Sequence, residues 1–274
     1  AYLAMAKEYV DRVTTPGTPW TGPTSGPAAQ GKKLVVYVSS DQRNGGPQGA
    51  GDGAKEAAQV IGWDFRILDG QGSVQGRTTA LNQAIALKPD GIILGNVDTL
   101  EQMPVIEKAA QMGIKLVGWH ATAAPGPIAS PPVFTNVTTD PKEVARAAAY
   151  YAVTDSNGTA NVILFKDSIT TISSLKTDVA ADVIKGCGGC QVLTVDDTPM
   201  GDLANRMASL TTSLLTKYGK QWTYSIAVND LYFDFSAPSL QSAGVDPAMG
   251  YPRQISSGDG SVTAFQRIRQ KRYQ

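Results

Sequence analysis

From residue 32 onward, the sequence alternates between short apolar runs and stretches with helical periodicity. The apolar runs are nearly continuous, which is typical of strands buried on both faces of a parallel sheet. This repetition of strand and helix predicts a doubly wound α/β fold. In the first half we predict strands over 33–40, 64–70, 90–96 and 115–121, separated by helices near 50–61, 74–88 and 100–112.

The second half repeats the same plan after an interruption. Residues 122–132 contain four prolines, and we interpret them as a crossing between two lobes. The pattern predicts two Rossmann-like lobes, each a parallel sheet flanked by helices, joined by a hinge: residues 32–123, and residues 124–274 including the hinge. The predicted strands are 133–138, 160–166, 191–196, 223–229 and 252–257, and the predicted helices lie near 141–155, 170–186, 202–218, 232–243 and 261–270.

Residues 1–31 differ in composition from the rest. Residues 1–13 predict a short amphipathic helix, and residues 14–31 are rich in Thr, Pro and Gly, as in an extended linker. We expect this segment to be an arm packed against the body. The chain begins without a basic, apolar leader, so we expect any export signal to have been removed or never to have existed.

Charge and hydropathy argue against several classes of partner. Charged residues make up only 18% of the chain and the formal net charge is zero, so no basic surface for nucleic acid or anionic lipid is expected. No apolar run approaches the roughly 20 residues that span a bilayer. Hydrophobic residues make up 42%, enough for a packed interior. We expect a monomer.

The two cysteines are Cys187 and Cys190, and the one histidine is His120. These three residues cannot form a four-ligand Cys/His zinc site, and we predict no metal. The cysteine pair follows a predicted helix, where the helix dipole does not stabilise a thiolate. We favour a structural disulfide over two free thiols. A disulfide indicates an oxidising compartment such as the periplasm.

Catalytic motifs are absent from the sequence: it has no GxSxG, HExxH or GxxxxGK[ST]. The rival hypothesis is a nicotinamide enzyme, because a glycine-rich stretch at 44–55 follows the first strand and Asp69 ends the second. The glycine spacing does not give GxGxxG, however, and no Tyr-xxx-Lys pair is present. No Ser or Cys nucleophile is near His120 in sequence. We predict neither catalysis nor a cofactor.

Polar and aromatic side chains cluster at the predicted carboxyl ends of the strands, the edge where open α/β sheets bind ligands. Asp and Asn can bind neighbouring hydroxyls, and aromatic rings can cover the apolar face of a sugar. We therefore predict a sugar or polyol site. Its candidate residues are Ser39, Asp41, Asn44, Asp69, Asn96, Asp98, Trp119, His120, Asn229, Asp230, Tyr232 and Asp259.

Over residues 32–274, the sequence resembles the type I periplasmic sugar-binding proteins of ABC transporters, the ribose- and galactose-binding group. The resemblance is carried by blocks in a fixed order: "VVYVSSDQRNGG", "GIILGNVDT", "IKLVGWHAT", "VFTNVTTD", "SIAVNDLYFDFSAPSLQSAG" and "ISSGDGS". It implies a periplasmic or otherwise exported solute-binding component of an importer, which closes by a hinge over one solute and presents it to a membrane permease. The alternatives are the sugar-sensing effector domain of a regulator or chemoreceptor system and, third, the nicotinamide-dependent oxidoreductase.

By position, the resemblance implies ligand contacts at Ser39, Asn44, Asn96, Asn229 and Asp259. The sequence departs from a ribose binder in three places: at His120 and Ala121 in place of Asp-Arg, near Leu175 and Lys176 in place of an arginine, and near Met200 in place of an aromatic residue. The resemblance also implies that the first lobe is incomplete without a C-terminal return segment.

Overall fold

Two separate sheets organise the computed structural model, which describes residues 1–17, 19–246 and 250–274. The first sheet has the strand order β2-β1-β3-β4-β6-β5, and its strands are parallel except for β5. The strands are β1 (Leu34–Ser39), β2 (Asp64–Asp69), β3 (Gly91–Gly95), β4 (Lys115–Trp119), β5 (Gly126–Ile128) and β6 (Val133–Val137). The connecting helices are α2 (Gly45–Val60), α3 (Val74–Ala86) and α4 (Met103–Gln111), which follow the N-terminal α1 (Tyr2–Thr14). We call this sheet and α2–α4 the first lobe.

The second sheet has the order β10-β9-β7-β8, and all of its pairs are parallel. Its strands are β7 (Asn161–Lys166), β8 (Gln191–Asp197), β9 (Tyr224–Ala227) and β10 (Arg253–Ser256). The helices that precede, connect or follow them are α5 (Pro141–Asp155), α6 (Thr171–Gly186), α7 (Leu203–Tyr218), α8 (Leu231–Ser242) and α9 (Val262–Arg269). We call this sheet and α5–α9 the second lobe. The prediction of an α/β fold with parallel sheets flanked by helices is confirmed.

Continuous burial along the strands explains why the apolar runs predicted them so well. In β1, Val36, Tyr37 and Val38 are each at most 1% exposed, because helices cover both faces of the sheet. The same holds in β7, where Val162, Ile163, Leu164 and Phe165 are buried in succession.

The proline-rich segment lies within the first lobe. β5 pairs antiparallel with β6, and β6 pairs in parallel with β4. The side chain of Asn136 holds the turn, since its Oδ1 accepts from Ala121 N and its Nδ2 donates to Thr122 O and Ala124 O. The prediction that residues 122–132 cross between lobes, and that the strand at 133–138 belongs to the second lobe, is therefore wrong. We propose that the first lobe extends through β6.

The N-terminal helix packs on the second lobe, although the strand that follows it belongs to the first. Ala6 of α1 is fully buried, and Tyr2 donates a 2.5 Å hydrogen bond to Val183 O. Tyr9 donates to the Glu143 carboxylate of α5 at 2.6 Å. The far end of the linker contacts the first lobe, where Trp63 Nε1 donates to Gly31 O at 3.0 Å. Residues 1–31 thus contact both lobes.

Cys187 and Cys190 form a disulfide between the end of α6 and the start of β8, with their Cα atoms 5.2 Å apart. The predicted structural disulfide is confirmed. It lies at the amino edge of the second sheet, away from the loops that follow the strands. Within the described ranges, no helix is long and apolar enough to cross a membrane.

Candidate functional site

Loops at the carboxyl ends of both sheets meet in one cleft. The contacts that join the two lobes there include a hydrogen bond from Thr171 N to the Asp98 carboxylate. They also include the close approaches of Gly46 to Asp259 and of Gly72 to Gly201. These loops enclose a small cavity of about 10 Å³. Its lining comes from both lobes and consists of Ser40, Asp41, Asn44, Gly72, Arg77, Asn96, Asp167, Thr170 and Met200.

The loop after β1 contributes polar groups that were predicted from the sequence. Asp41 is buried and forms a bidentate ion pair with Arg43, at 3.0 and 2.7 Å. Asn44 caps α2 by accepting from Gly46 N, which leaves its Nδ2 buried with no hydrogen-bond partner among the described residues. The Ser39 hydroxyl at the end of β1 is also buried and unpaired within the same ranges. An unsatisfied buried donor costs about 1–3 kcal/mol, so a ligand oxygen that reaches Asn44 Nδ2 is favoured.

The loop after β3 carries Asn96 and Asp98. Asn96 has φ of 58°, a left-handed conformation that asparagine tolerates better than most residues, and its position lines the cavity. Asp98 Oδ1 accepts from Leu100 N and Glu101 N, while Oδ2 accepts from Thr171 N across the cleft. Within the described ranges, the three hydrogen-bond partners of the Asp98 carboxylate are therefore all backbone amides.

His120 and Trp119 end β4 with their rings in edge contact, 4.4 Å between centroids. Nδ1 of His120 lies 3.2 Å from the Thr138 hydroxyl. Burial, and to a smaller degree the charge of Lys176, lowers the pKa of His120 to about 4. The imidazole is therefore neutral at neutral pH.

The second lobe contributes Asn229 and the turn at Asp259. Asn229 Oδ1 accepts from Leu231 N, and its Nδ2 lies 3.1 Å from the Met200 sulfur. Asp259 lies against the first lobe at Gly46, and desolvation between the lobes raises its pKa to about 6. Lys176 opposes this rise. The Asp259 residue as a whole nevertheless remains exposed.

The Asp230 carboxylate holds the turn at Asp259 through hydrogen bonds to its backbone. Its Oδ2 accepts from Gly260 N and Ser261 N at 2.9 Å each. The buried Lys176 ammonium donates to Ser257 O and Val228 O, next to the same turn, and burial lowers the pKa of Lys176. The position where the resemblance implied an arginine thus carries a lysine that contacts backbone carbonyls.

Of the predicted residues, Asp41, Asn44 and Asn96 line the cavity. The others do not: Ser39, Asp69, Asp98, Trp119, His120, Asn229, Asp230, Tyr232 and Asp259. Asp69 Oδ1 accepts from Gln42 N and Gln71 N, so this carboxylate links the loops after β1 and β2. Tyr232 donates to Thr198 O at 2.7 Å and stacks on Phe165 in the core of the second lobe. Both side chains support neighbouring loops.

Sequence reasoning missed Arg77 and Asp167, which line the cavity from opposite lobes. Arg77 of α3 forms a bidentate ion pair with Glu101, at 2.7 and 2.6 Å, and both side chains are at most 9% exposed. Asp167 accepts from Ile169 N and Met200 N, and burial raises its pKa while the charge of Arg77 opposes the rise. Asp167 directly follows β7, so the strand-end rule that found the other residues applied to it as well.

The glycine-rich stretch at 44–55 is mostly helical. α2 begins at Gly45, five residues before the predicted start, with Asn44 as its N-cap. Gly51 faces the ring of Tyr37, where a Cβ atom would lie 3.1 Å from the nearest ring carbon. This glycine allows close packing of helix on strand, and the stretch does not form the loop of a nicotinamide site.

A larger groove of about 810 Å³ lies at the opposite edge of the first sheet. It is lined by the starts of β1, β3 and β4 and by the end of α2, including Val35, Ile61, Trp63 and Ile93. The groove is apolar and lies far from the polar loops of the cleft. Among the described residues, no group of three or more His, Cys, Asp or Glu side chains could hold a metal ion.

Solved structures share this fold at low sequence identity. A sugar ABC transporter protein from Yersinia enterocolitica matches with a TM-score of 0.70 and 19% identity, over 83% of this chain and 66% of its own. The periplasmic component of an arabinose transporter from Shewanella sp. ANA-3, bound to L-arabinofuranose, matches with a TM-score of 0.68 and 17% identity, over 87% and 78%. A solute-binding protein from Bacillus halodurans with bound myo-inositol matches with a TM-score of 0.70 and 15% identity, over 90% and 82%.

The chain therefore spans 66% of the length of the Yersinia protein, and identities this low establish the fold alone. No curated protein matches the sequence significantly. The family described as "Periplasmic binding protein domain", however, matches residues 35–274, which is most of the chain. This chain belongs to the periplasmic binding protein domain family.

Proposed function

We propose that this chain is the solute-binding component of an ABC importer and captures a small neutral sugar or polyol in the cleft. One observation carries the proposal: polar side chains from the two lobes line one cavity, and the buried Asn44 Nδ2 in that lining lacks a partner among the described residues. Similar folds include proteins solved with L-arabinofuranose and with myo-inositol.

The charges around the cavity favour a neutral ligand. Asp41 is paired with Arg43, and Arg77 with Glu101. The Asp167 carboxylate accepts from Ile169 N and Met200 N, so these charged groups already have partners. The remaining groups include the amides of Asn44 and Asn96 and the hydroxyl of Thr170, which suit the hydroxyls of a sugar.

We propose that the first lobe binds the ligand through Ser39, Asp41, Asn44, Asn96, Trp119 and His120, and that the second lobe adds Asn229 and Asp259. We assign Asp69, Asp98 and Tyr232 a supporting role, because their oxygens bond to the backbone.

Hinge closure supplies the mechanism. A cavity of about 10 Å³ holds at most one water, so the lobes must separate to admit a sugar. The open form binds the ligand on one lobe, and closure adds the contacts of the other lobe. No chemical change to the ligand is proposed.

Location and partner follow from the same reasoning. The Cys187–Cys190 disulfide and the family both support an exported, periplasmic protein. We propose that the chain acts as a monomer that delivers its ligand to a membrane permease.

The test is a thermal-shift and calorimetry screen of the purified protein against pentoses, hexoses, polyols and nicotinamide nucleotides. We expect one sugar or polyol to raise the melting temperature, and the Asn44→Ala variant to bind it about tenfold more weakly, since the variant loses a buried donor. Binding of a nicotinamide nucleotide alone would overturn the proposal in favour of the enzyme class.

A further inference from the structure

The hydrogen bond from Thr171 N to Asp98 Oδ2 joins the two lobes directly, at 2.9 Å. Asp98 follows β3 in the first lobe, and Thr171 is the first residue of α6 in the second lobe. Asp98 is only 7% exposed, so water competes weakly for its carboxylate.

This hydrogen bond gives the first amide of α6 an acceptor and gives the Asp98 carboxylate a third donor. The first amides of a helix have no acceptor within the helix, and the N-cap of α6, Thr170, makes no side-chain capping bond. Asp98 provides the missing cap from the other lobe, and its negative charge suits the positive end of the helix dipole. The other oxygen, Oδ1, binds Leu100 N and Glu101 N and so fixes the orientation of the carboxylate.

We propose that Asp98 is a closure latch: it caps α6 only when the lobes are together and so stabilises the closed form without touching the ligand. Opening the cleft removes an acceptor from Thr171 N and a partner from a buried carboxylate. This inference rests on the hinge closure in the proposed function but does not depend on which ligand binds.

Backbone contacts around the cleft make such a latch geometrically possible. A Cβ atom on Gly72 would lie 3.2 Å from Gly201 Cα, and one on Gly201 would lie 2.6 Å from Gly72 O. The lobes therefore approach to backbone contact beside the latch, which holds Asp98 and Thr171 within hydrogen-bond distance.

Two variants break the latch from opposite sides. Asp98→Asn keeps one oxygen for Leu100 N and Glu101 N but presents an amide donor to Thr171 N–H. Thr171→Pro removes the donor at the first helical position, where proline is compatible with a helix. α5 already begins with Pro141 at the equivalent position. The extended backbone of Thr170 also suits a following proline.

The readout is the distance between the lobes without ligand, measured by pulsed electron paramagnetic resonance. Spin labels go on cysteines introduced at the exposed positions Lys55 and Ala208, one in each lobe. The native cysteines do not react, because they form the disulfide. We expect each variant to raise the ratio of open to closed molecules about tenfold, the effect of losing one charge-assisted hydrogen bond.

The double variant should open no further than either single variant, since both remove the same bond. Asp140→Asn is the matched control: Asp140 caps α5 within the second lobe, so its loss should leave the distances unchanged. Melting curves of each variant verify folding.

A distance distribution unchanged in both single variants overturns the latch, as does a wild-type chain that is entirely open without ligand. Weaker sugar binding with unchanged distances also overturns it, because Asp98 would then act on the ligand. Failure to bind any sugar would contradict the proposed function and leave this readout intact.

Discussion

Asp259 of the second lobe lies so close to Gly46 of the first that a Cβ atom on Gly46 would stand 2.5 Å from Asp259 Cγ. The same atom would stand 2.6 and 2.8 Å from the two carboxylate oxygens. Gly46 lies in the first turn of α2, so the carboxylate approaches the amino end of that helix. The closed arrangement therefore depends on the absence of a side chain at position 46.

Gly46→Ala should hold the cleft partly open. The added methyl group must displace Asp259 or separate the lobes, at a cost of about 1–3 kcal/mol, so we expect the affinity for ligand to fall about tenfold or more. The free energy of unfolding should change little, because opening relieves the clash and alanine favours helix. Calorimetry with the bound sugar and urea denaturation measure the two quantities.

The matched control is Gly53→Ala in the same helix, where a Cβ atom would meet nothing within 4 Å. This variant should bind ligand normally and be more stable by about 0.4–1 kcal/mol. Equal affinity for the Gly46 and Gly53 variants would show that closure does not bring the lobes this close.

Asn229→Ala should weaken ligand binding by about 1 kcal/mol or more, because it removes an amide donor from the cleft. Asn229→Asp is the informative partner variant, since it keeps an oxygen that accepts from Leu231 N and replaces the donor near Met200 by a carboxylate oxygen. If the donor binds ligand, calorimetry should show both variants weakened. Weakening by alanine alone would assign Asn229 to the support of α8.

Most of the fold follows from local sequence. The strands β1 and β7 lie within one residue of their predicted ends at each side, because burial on both faces favours apolar residues at successive positions. The hairpin β5–β6 could not be placed in this way. Its position depends on pairing with β4 and on the hydrogen bonds of Asn136, and neither leaves a periodic signal.

The candidate site likewise contains residues that local sequence predicts and residues that depend on contacts between distant parts of the chain. Asp41 and Asn44 could be predicted because polar residues after a buried strand lie at the carboxyl edge of the sheet. Arg77 could not, because a charged residue on an amphipathic helix is typical of an exposed face. Its burial is possible only because Glu101, 24 residues away, provides a carboxylate at 2.6 Å. Asp98 was predicted as a ligand contact from its position after β3, but its bond to Thr171 N depends on the approach of the second lobe, which the local sequence does not show.

Arg77→Met should destabilise the protein by about 3–5 kcal/mol, because it leaves the Glu101 carboxylate buried without its partner. Adding Glu101→Gln should recover part of this loss, since the uncompensated charge is then removed. Urea denaturation gives the free energies of unfolding.

Arg206→Met serves as the control for removal of an arginine. Arg206 forms an exposed ion pair with Asp202 at 4.0 Å, and such pairs contribute at most about 1 kcal/mol. A similar small effect at Arg77 would mean that water reaches Glu101 in solution.

Protonation of His120 should destabilise the folded protein at acid pH. Burial and Lys176 lower its folded pKa to about 4, whereas an unfolded histidine titrates near about 6.5. Unfolding therefore takes up a proton between these values, and the stabilisation is complete above about pH 6.5 and is lost as the pH falls toward about 4. The loss should be of the order of 2 kcal/mol. Each unit of pKa difference corresponds to about 1.4 kcal/mol, and screening by solvent reduces the total.

The dependence is measured by urea denaturation at a series of pH values, together with the same series for His120→Asn. Asparagine tolerates the φ of 51° at this position and does not titrate, so the difference between the two curves isolates the imidazole from the carboxylates. His120 is the only histidine in the chain, and its pKa can be read directly from one imidazole resonance by NMR. Parallel curves for the two proteins, or a resonance that titrates near pH 6.5, would show that the ring is in contact with solvent.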